Sequence, residues 1–490
     1  MKLTMNYNSS PSMNKLLNYE IIQSITNGLW ITKPGNPTKI LRGGAFDTRQ
    51  LGDAQIFFAW KGENSDGHLY LNQLETSGIE LILVEQEVDK VGDIPILKVV
   101  DSLSALQQLA KTLVAGFEGK VVNITGSSGK TTTKEWLKHI INGHRQLLTN
   151  VGSFNNHIGC PITILNMERE HELLALEMGT SGSGELLTLT SIAPADIAVL
   201  LNVGHAHLGM FGSLEKTYQA KMEIFSNMKQ QSVMLIPYGD ERLVQLLENR
   251  QVEFFGQGSP EFSWECLSID PFQRTQTIQF ITPFGSKTVV VNRLGEYVGN
   301  LISCILAICY HLGLSWAEIE PGLSSLPTEK GRSVFHRSKD GTLILDDTYN
   351  ANPESVIQML KTICLLPAER YVGVVGNLAE LDEGMKESAG YILNHLPEKL
   401  TDLILSGETG KILFHLVKEH HPHLNIRYFD SIAEMADYLI SIMEEKVVIG
   451  VKGSRSAHLE RIVYVLKGET VSCPLERCSK LCACSQCKEL

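Results

Sequence analysis

Val121-Val-Asn-Ile-Thr-Gly-Ser-Ser-Gly-Lys-Thr-Thr-Thr-Lys-Glu-Trp-Leu-Lys-His-Ile140 is the stretch whose reading decides the fold. The β-branched run VVNIT predicts a buried strand. It breaks at the turn GSSG and enters KTTTKEWLKHII, where Trp136, Leu137, Ile140 and Ile141 recur at helical spacing. Strand, glycine turn and helix N-terminus together form a phosphate cradle, because glycines let backbone N–H groups approach and the helix end carries positive partial charge. Lys130 is placed to reach the β- and γ-phosphates, and the Thr131 hydroxyl to sit on Mg²⁺. The loop is a short variant, G-x-x-G-K-T-T: the longer G-x-x-x-x-G-K-[ST] pattern would put glycine at 124, which is Ile124.

Around this P-loop, residues 119–327 alternate strands and helices in the βαβ manner, which predicts a mostly parallel, doubly wound sheet. Ligands bind beyond the carboxyl ends of such strands. LLALEMGTSGSGEL ends a strand at Glu177, DIAVLLNV leads to His205 and His207, and the helix SLEKTYQAKMEIF carries Lys221. A strand-end carboxylate suits the Mg²⁺ that a nucleotide brings. A lone Glu or His is more often structural, so their shared placement carries the reading. LISCILAICY (301–310) is too short to span a bilayer and predicts a buried helix.

Residues 328–472 restart the alternation with TLILDDTYNANP, RYVGVVGNLAEL and KVVIGVKGSRSAHLERIVYVL, predicting a second, Rossmann-like domain. Residues 1–118 predict a smaller α/β domain. Its Asp47-Thr48-Arg49 and Asp66-Gly67-His68 clusters read from local sequence as turns with solvated charge pairs.

The 490 residues exceed what one core supports. A net charge of −12 argues against nucleic acid as the main partner. The N-terminus lacks the apolar core of a signal peptide, and with no membrane segment in the sequence the expectation is a cytoplasmic protein without stable membrane insertion. Of ten cysteines, Cys160, Cys266, Cys304, Cys309 and Cys364 read as small buried hydrophobes. The other five, Cys473, Cys478, Cys482, Cys484 and Cys487, crowd the tail 473–490. Four such thiolates could hold Zn²⁺; the competing expectation is a flexible, reducible tail.

TGSSGKTTTKE, TNVGSFNNHIGCPITIL, LEMGTSGSGEL, NVGHAHLGMFGSLEKTYQAKMEIF, DDTYNANPESV and VKGSR, in that order, resemble the Mur ligase family of cell-wall (peptidoglycan) synthesis over about residues 46–465. FNN with DDTYNANP resembles its D-alanyl-D-alanine-adding branch. The resemblance implies an ATP-dependent ligase, acting as a monomer, that adds D-alanyl-D-alanine to UDP-N-acetylmuramoyl-tripeptide through an acyl phosphate. It implies a UDP-binding N-terminal domain, an ATP-binding centre and a C-terminal domain bringing the amine. Carried over by position, Gly126, Ser127, Ser128, Gly129, Lys130, Thr131 and Thr132 cradle the phosphates. Thr131 and Glu177 ligate one Mg²⁺, Glu177 and His207 a second, and Lys221 matches a lysine that relatives carry as a metal-ligating carbamate. Asn300 matches an adenine contact; Arg332 and Asp347 match ribose and phosphate contacts. Asp47, Thr48, Arg49, Thr149, Asn155 and Asn156 fall at UDP-substrate positions, and Tyr349, Asn350 and Asn352 where dipeptide and ATP meet the third domain. Tyr297, Asn377-Leu378 and Asp382 depart from the family pattern, and the cysteine tail has no counterpart in it. The alternatives are a relative joining a diamino acid or glutamate, and a catalytically silent nucleotide-binding relative. A switch GTPase is disfavoured by the lack of an N-K-x-D motif.

Overall fold

The structure is a computed structural model that describes residues 17–490 except 64, 153, 206–207, 379–383, 474–483, 485–486 and 488–490. The predicted strand and helix at the centre are Lys120–Thr125 and Lys130–Ile141. Five of the six strand residues are buried, and the helix hides Trp136, Leu137, Ile140 and Ile141. The strand lies inside a six-stranded parallel sheet, flanked by Leu173–Glu177 on one side and Ile197–Leu200 on the other. Leu147–Thr149 extends it beyond the first neighbour; Val233–Pro237 and Glu253–Phe255 extend it beyond the second. Both faces are covered, as a parallel sheet requires.

The strand-rich segment that follows forms a separate antiparallel sheet of Ser263–Asp270, Thr275–Thr282 and Gly285–Val291. The apolar run 301–310 lies within helix Glu296–His311, which is buried from Val298 to Cys309 apart from Asn300. Gly299 in this helix faces Trp264 so closely that a Cβ would overlap the indole. The same indole donates from Nε1 to Asn300 Oδ1 at 2.8 Å. Gly299→Ala is therefore expected to cost about 1–3 kcal/mol through overpacking, offset only in part by alanine's roughly 1 kcal/mol better helix propensity. Thermal unfolding should show a lowered midpoint as the Trp264–Asn300 pair is displaced.

The C-terminal sheet has six strands, in the order Val334–Arg337, Leu343–Asp347, Val447–Lys452, Arg370–Val375, Asp402–Leu405 and Asn425–Tyr428. Only the first runs antiparallel to its neighbour. The N-terminal sheet orders Leu29–Thr32, Ile96–Lys98, Leu81–Val84, Ile56–Phe58 and Gly44–Ala45, with the first strand antiparallel. The chain is thus an α/β protein of three domains. One N-terminal cluster differs from its sequence reading. His68 is buried rather than solvated: Nδ1 meets Asp66 at 2.7 Å and Nε2 accepts the Glu85 N–H at 3.1 Å, which ties the turn to the sheet. Of the five scattered cysteines, four are buried and Cys266 is partly exposed on a strand of the antiparallel sheet. Among the described residues no helix is long and apolar enough to cross a membrane.

Candidate active site

The carboxyl ends of the P-loop strands open onto a cleft of about 1210 Å³, whose opposite wall is the C-terminal sheet. On the P-loop side, Gly129 adopts φ 82° and starts the helix with no side chain capping it, so the first-turn N–H groups face the cleft. Lys130 Nζ folds back on the Gly126 carbonyl at 2.6 Å. The loop is pinned from beneath by Asn202, whose side chain accepts from Ser128 N–H at 2.9 Å and donates to Ser128 O at 3.1 Å. The Ser127 N–H bonds Asn202 O at 3.1 Å.

Glu177 sits at its strand end, 2% exposed. Its Oε1 accepts from Asn155 Nδ2 at 2.8 Å, while Oε2 is buried with no hydrogen-bond partner among the described residues. The strand end itself is held by Asn150, which accepts Glu177 N–H at 3.0 Å and donates to Glu177 O at 2.8 Å. Lys134 Nζ lies 3.7 Å from the orphaned oxygen and bonds the Asn150 carbonyl at 2.6 Å. A buried carboxylate oxygen facing a phosphate cradle without a donor is the environment a divalent cation satisfies.

Sequence reasoning passed over Lys134, although a signal exists. It lies three residues before Leu137 and seven before Ile141, on the buried stripe of the helix, and its side chain is fully enclosed. A charge on an apolar stripe needs partners, and here they belong to the site.

From the C-terminal side, Arg332 lies over the Tyr349 ring at 4.1 Å and donates from NH2 to Thr131 Oγ1 at 3.1 Å. Asn352 caps helix Pro353–Ile363 and also donates to Ser127 O at 3.2 Å. Asp347 pairs with Lys452 and accepts the Ser333 N–H. Asn300, Arg332, Asp347, Tyr349, Asn350 and Asn352 thus line the same cleft as the P-loop, Asn155, Asn156 and Glu177. Asn156 spends its Oδ1 on the N–H groups of Ile158 and Gly159, capping the helix that follows.

Other expected residues lie apart from this cleft. Asp47 and Arg49 form an exposed ion pair at 2.7 Å, and Thr48 donates to Gln73, all on the N-terminal domain. Thr149 is buried, its hydroxyl unpartnered among the described residues. Lys221 is 1% exposed beside the Phe211 ring, and among the described residues no carboxylate pairs with it. Burial, and secondarily the charge of Lys130, holds its amine well below the usual lysine range. His207 and Asp382 lie outside the described residues.

His205, two residues before, makes a contact the sequence did not announce. It reaches across to the C-terminal domain, with Nδ1 2.6 Å from Glu354 Oε1, Nε2 3.7 Å from Glu387 and its ring 4.9 Å from that of Tyr391. The Glu354 hydrogen bond raises the imidazole pKa above its ordinary value, against the effect of burial. A raised histidine pKa gives a contact that is fully present below the ordinary range and fades as pH rises through the raised value. Closure of the C-terminal domain over the P-loop is therefore expected to weaken toward alkaline pH. Glu354→Gln should flatten that dependence, as read by small-angle scattering or inter-domain fluorescence transfer across a pH series.

Comparison with known proteins fits this geometry. A Mur ligase middle domain matches residues 124–308, and a Mur ligase, glutamate ligase domain matches residues 331–455. The UDP-N-acetylmuramoyl-tripeptide–D-alanyl-D-alanine ligase of Bacillus subtilis is 30% identical over 442 residues, covering 88% of this chain and 94% of that protein. The Escherichia coli enzyme of the same name is 29% identical, with 86% and 92% covered. Among solved structures, MurF from Acinetobacter baumannii superposes with a TM-score of 0.82 at 28% identity, covering 92% of this chain and 99% of that one. MurF ligase from Thermotoga maritima in complex with ADP gives 0.77 at 28% identity, with 88% and 98% covered.

Proposed function

The chain belongs to the Mur ligase family, and we propose that it joins D-alanyl-D-alanine to UDP-N-acetylmuramoyl-tripeptide in the cytoplasm, using ATP. The observation that carries this reading is the convergence on one cleft of an uncapped P-loop helix, a buried strand-end carboxylate and the Arg332–Tyr349–Asn352 wall of the C-terminal domain.

A carboxylate does not form an amide at neutral pH, because the anion is a poor electrophile and hydroxide a poor leaving group. Phosphorylation removes both obstacles. A carboxylate oxygen of the tripeptide attacks the γ-phosphorus of ATP, the bond to the β-phosphate oxygen breaks, and ADP departs. The amine of D-alanyl-D-alanine then attacks the acyl carbon, loses a proton and expels inorganic phosphate. Lys130 and the N–H groups that follow Gly129 offset charge on the transferring group, so catalysis is positioning and electrostatics without a covalent enzyme intermediate. Mg²⁺, when bound, supplies further neutralisation of the phosphate charge. The residues that would hold it are Thr131 and Glu177, with His207 and a carbamylated Lys221 by sequence position.

The acyl phosphate hydrolyses in water, and the contacts Arg332–Thr131, Asn352–Ser127 and His205–Glu354 are those that keep the C-terminal wall against the cradle. Phosphate release from ATP should require both UDP-N-acetylmuramoyl-tripeptide and D-alanyl-D-alanine. Equal release with a free diamino acid or glutamate and a shorter acceptor would reassign the chain to another member of the family. Absence of ATP binding would make it a silent relative.

A further inference from the structure

Cys484, in the cysteine-rich tail, is packed into the protein and 4% exposed. It packs where the strand Val447–Lys452 gives way to the turn Arg455–Ala457 and the helix Glu460–Leu466. His458, between turn and helix, takes φ 49°, a left-handed conformation uncommon for histidine. Cys484 Sγ lies 3.3 Å from His458 Nδ1, and Nδ1 lies 3.8 Å from Glu460 Oε1. The Cys484 N–H donates to Glu460 Oε1 at 3.1 Å, and Arg461 Nε donates to the sulfur at 3.4 Å. One ligand atom from each of His458, Glu460 and Cys484 falls within 4.8 Å of the other two, and all three side chains are buried.

Arg455 also reaches Glu460 Oε1 at 3.3 Å, and these contacts satisfy only part of the cluster. His458 and Glu460 are 2% and 4% exposed, yet among the described residues Oε2 of Glu460 has no hydrogen-bond partner. Leaving such groups unsatisfied in the interior is costly, and an apolar contact would have seated the tail without that cost. A thiol, an imidazole and a carboxylate with a free oxygen form a donor set of mixed softness. It suits a borderline divalent ion and is wrong for Mg²⁺, which takes oxygen alone.

We propose that His458, Glu460 and Cys484 form a Zn²⁺ site that clasps the C-terminal tail to the C-terminal domain. Cys487 is assigned the fourth position: it completes a C-x2-C pair with Cys484 and its N–H bonds Cys484 O at 2.9 Å, but its sulfur lies outside the 4.8 Å group, so metal binding must draw it in. The sequence pattern suggested an all-cysteine set. The proposed site instead draws half its ligands from the folded domain, and Cys478 and Cys482 lie outside the described residues.

The test uses the full chain, purified under reducing conditions, stripped of metal and titrated with Zn²⁺ against a chromophoric chelator, with Co²⁺ as the optical probe. The expected result is one Zn²⁺ per chain and a thiolate-to-cobalt charge-transfer band. Cys484→Ser should abolish the band and weaken Zn²⁺ binding by roughly 100-fold or more, and the near-isosteric Glu460→Gln by about tenfold or more. Zn²⁺ should also protect Cys484 from alkylation in the unmodified chain, a readout that needs no variant to fold. No uptake, or uptake indifferent to Cys484→Ser, overturns the proposal. Zn²⁺ affinity unchanged by both Glu460→Gln and His458→Gln assigns the metal to the tail's thiolates alone and overturns it equally.

Discussion

Lys130→Ala is expected to lower phosphate release by at least about 10³-fold, equivalent to roughly 4 kcal/mol of lost transition-state stabilisation. Lys130 is the P-loop cation, anchored on the Gly126 carbonyl at 2.6 Å, at the start of a helix whose N-terminal N–H groups carry only partial charge. Those N–H groups remain in the variant and continue to bind the nucleotide. What is lost is the full charge opposite the bridging oxygen as it takes up negative charge. No described residue of the N-terminal domain lines the P-loop cleft, so binding of UDP-N-acetylmuramoyl-tripeptide, followed by calorimetry without ATP, should be unchanged. Turnover within tenfold of the unaltered protein would remove the P-loop from the chemistry.

The features legible in the sequence are those written in contiguous residues. The strand, turn and helix of 120–141 needed no long-range information, because period and glycine placement encode them locally. Glu177 was legible for a related reason: a run of apolar residues ending in a carboxylate marks a strand end, and parallel sheets gather their strand ends on one side. Contacts between distant segments were not legible. His205 and Glu354 are 149 residues apart, and nothing in either segment names the other. Asn202 and Ser128, 74 apart, are similar: the asparagine reads as the polar end of a strand until the fold places it under the loop. The tail shows the same limit from another side. Cysteine spacing offered either a thiolate set or a flexible tail, whereas Cys484 meets a histidine and a glutamate from the segment read only as part of the Rossmann-like domain.

Lys221→Ala is expected to cost turnover as heavily as loss of the P-loop lysine, about 10³-fold, and to be the more informative variant because it can be rescued. A lysine this deeply buried, without a paired carboxylate among the described residues and with a second lysine close enough to matter electrostatically, is poorly placed to stay an ammonium. Its amine is therefore neutral over a wider range of pH than an ordinary lysine, and a neutral amine is the form that adds CO₂. On carbamylation the nitrogen would bond to the carbon of CO₂, a proton would be lost, and the neutral amine would become a carboxylate-like anion within electrostatic reach of Lys130. That exchange would replace a repulsion with an attraction to Lys130 and would offer an oxygen ligand to a metal ion, should one be held by Thr131 and Glu177. Alanine removes the group and leaves space beside Phe211 that a small carboxylate such as acetate or formate is expected to enter. Added short carboxylates should restore a measurable part of the lost rate to Lys221→Ala and none to Lys221→Met, whose side chain fills the same space. Isotopically labelled bicarbonate should give a carbamate resonance in the unaltered protein that is missing from both variants. Full activity of Lys221→Ala without added acid would reject the carbamate and leave the buried amine a structural residue.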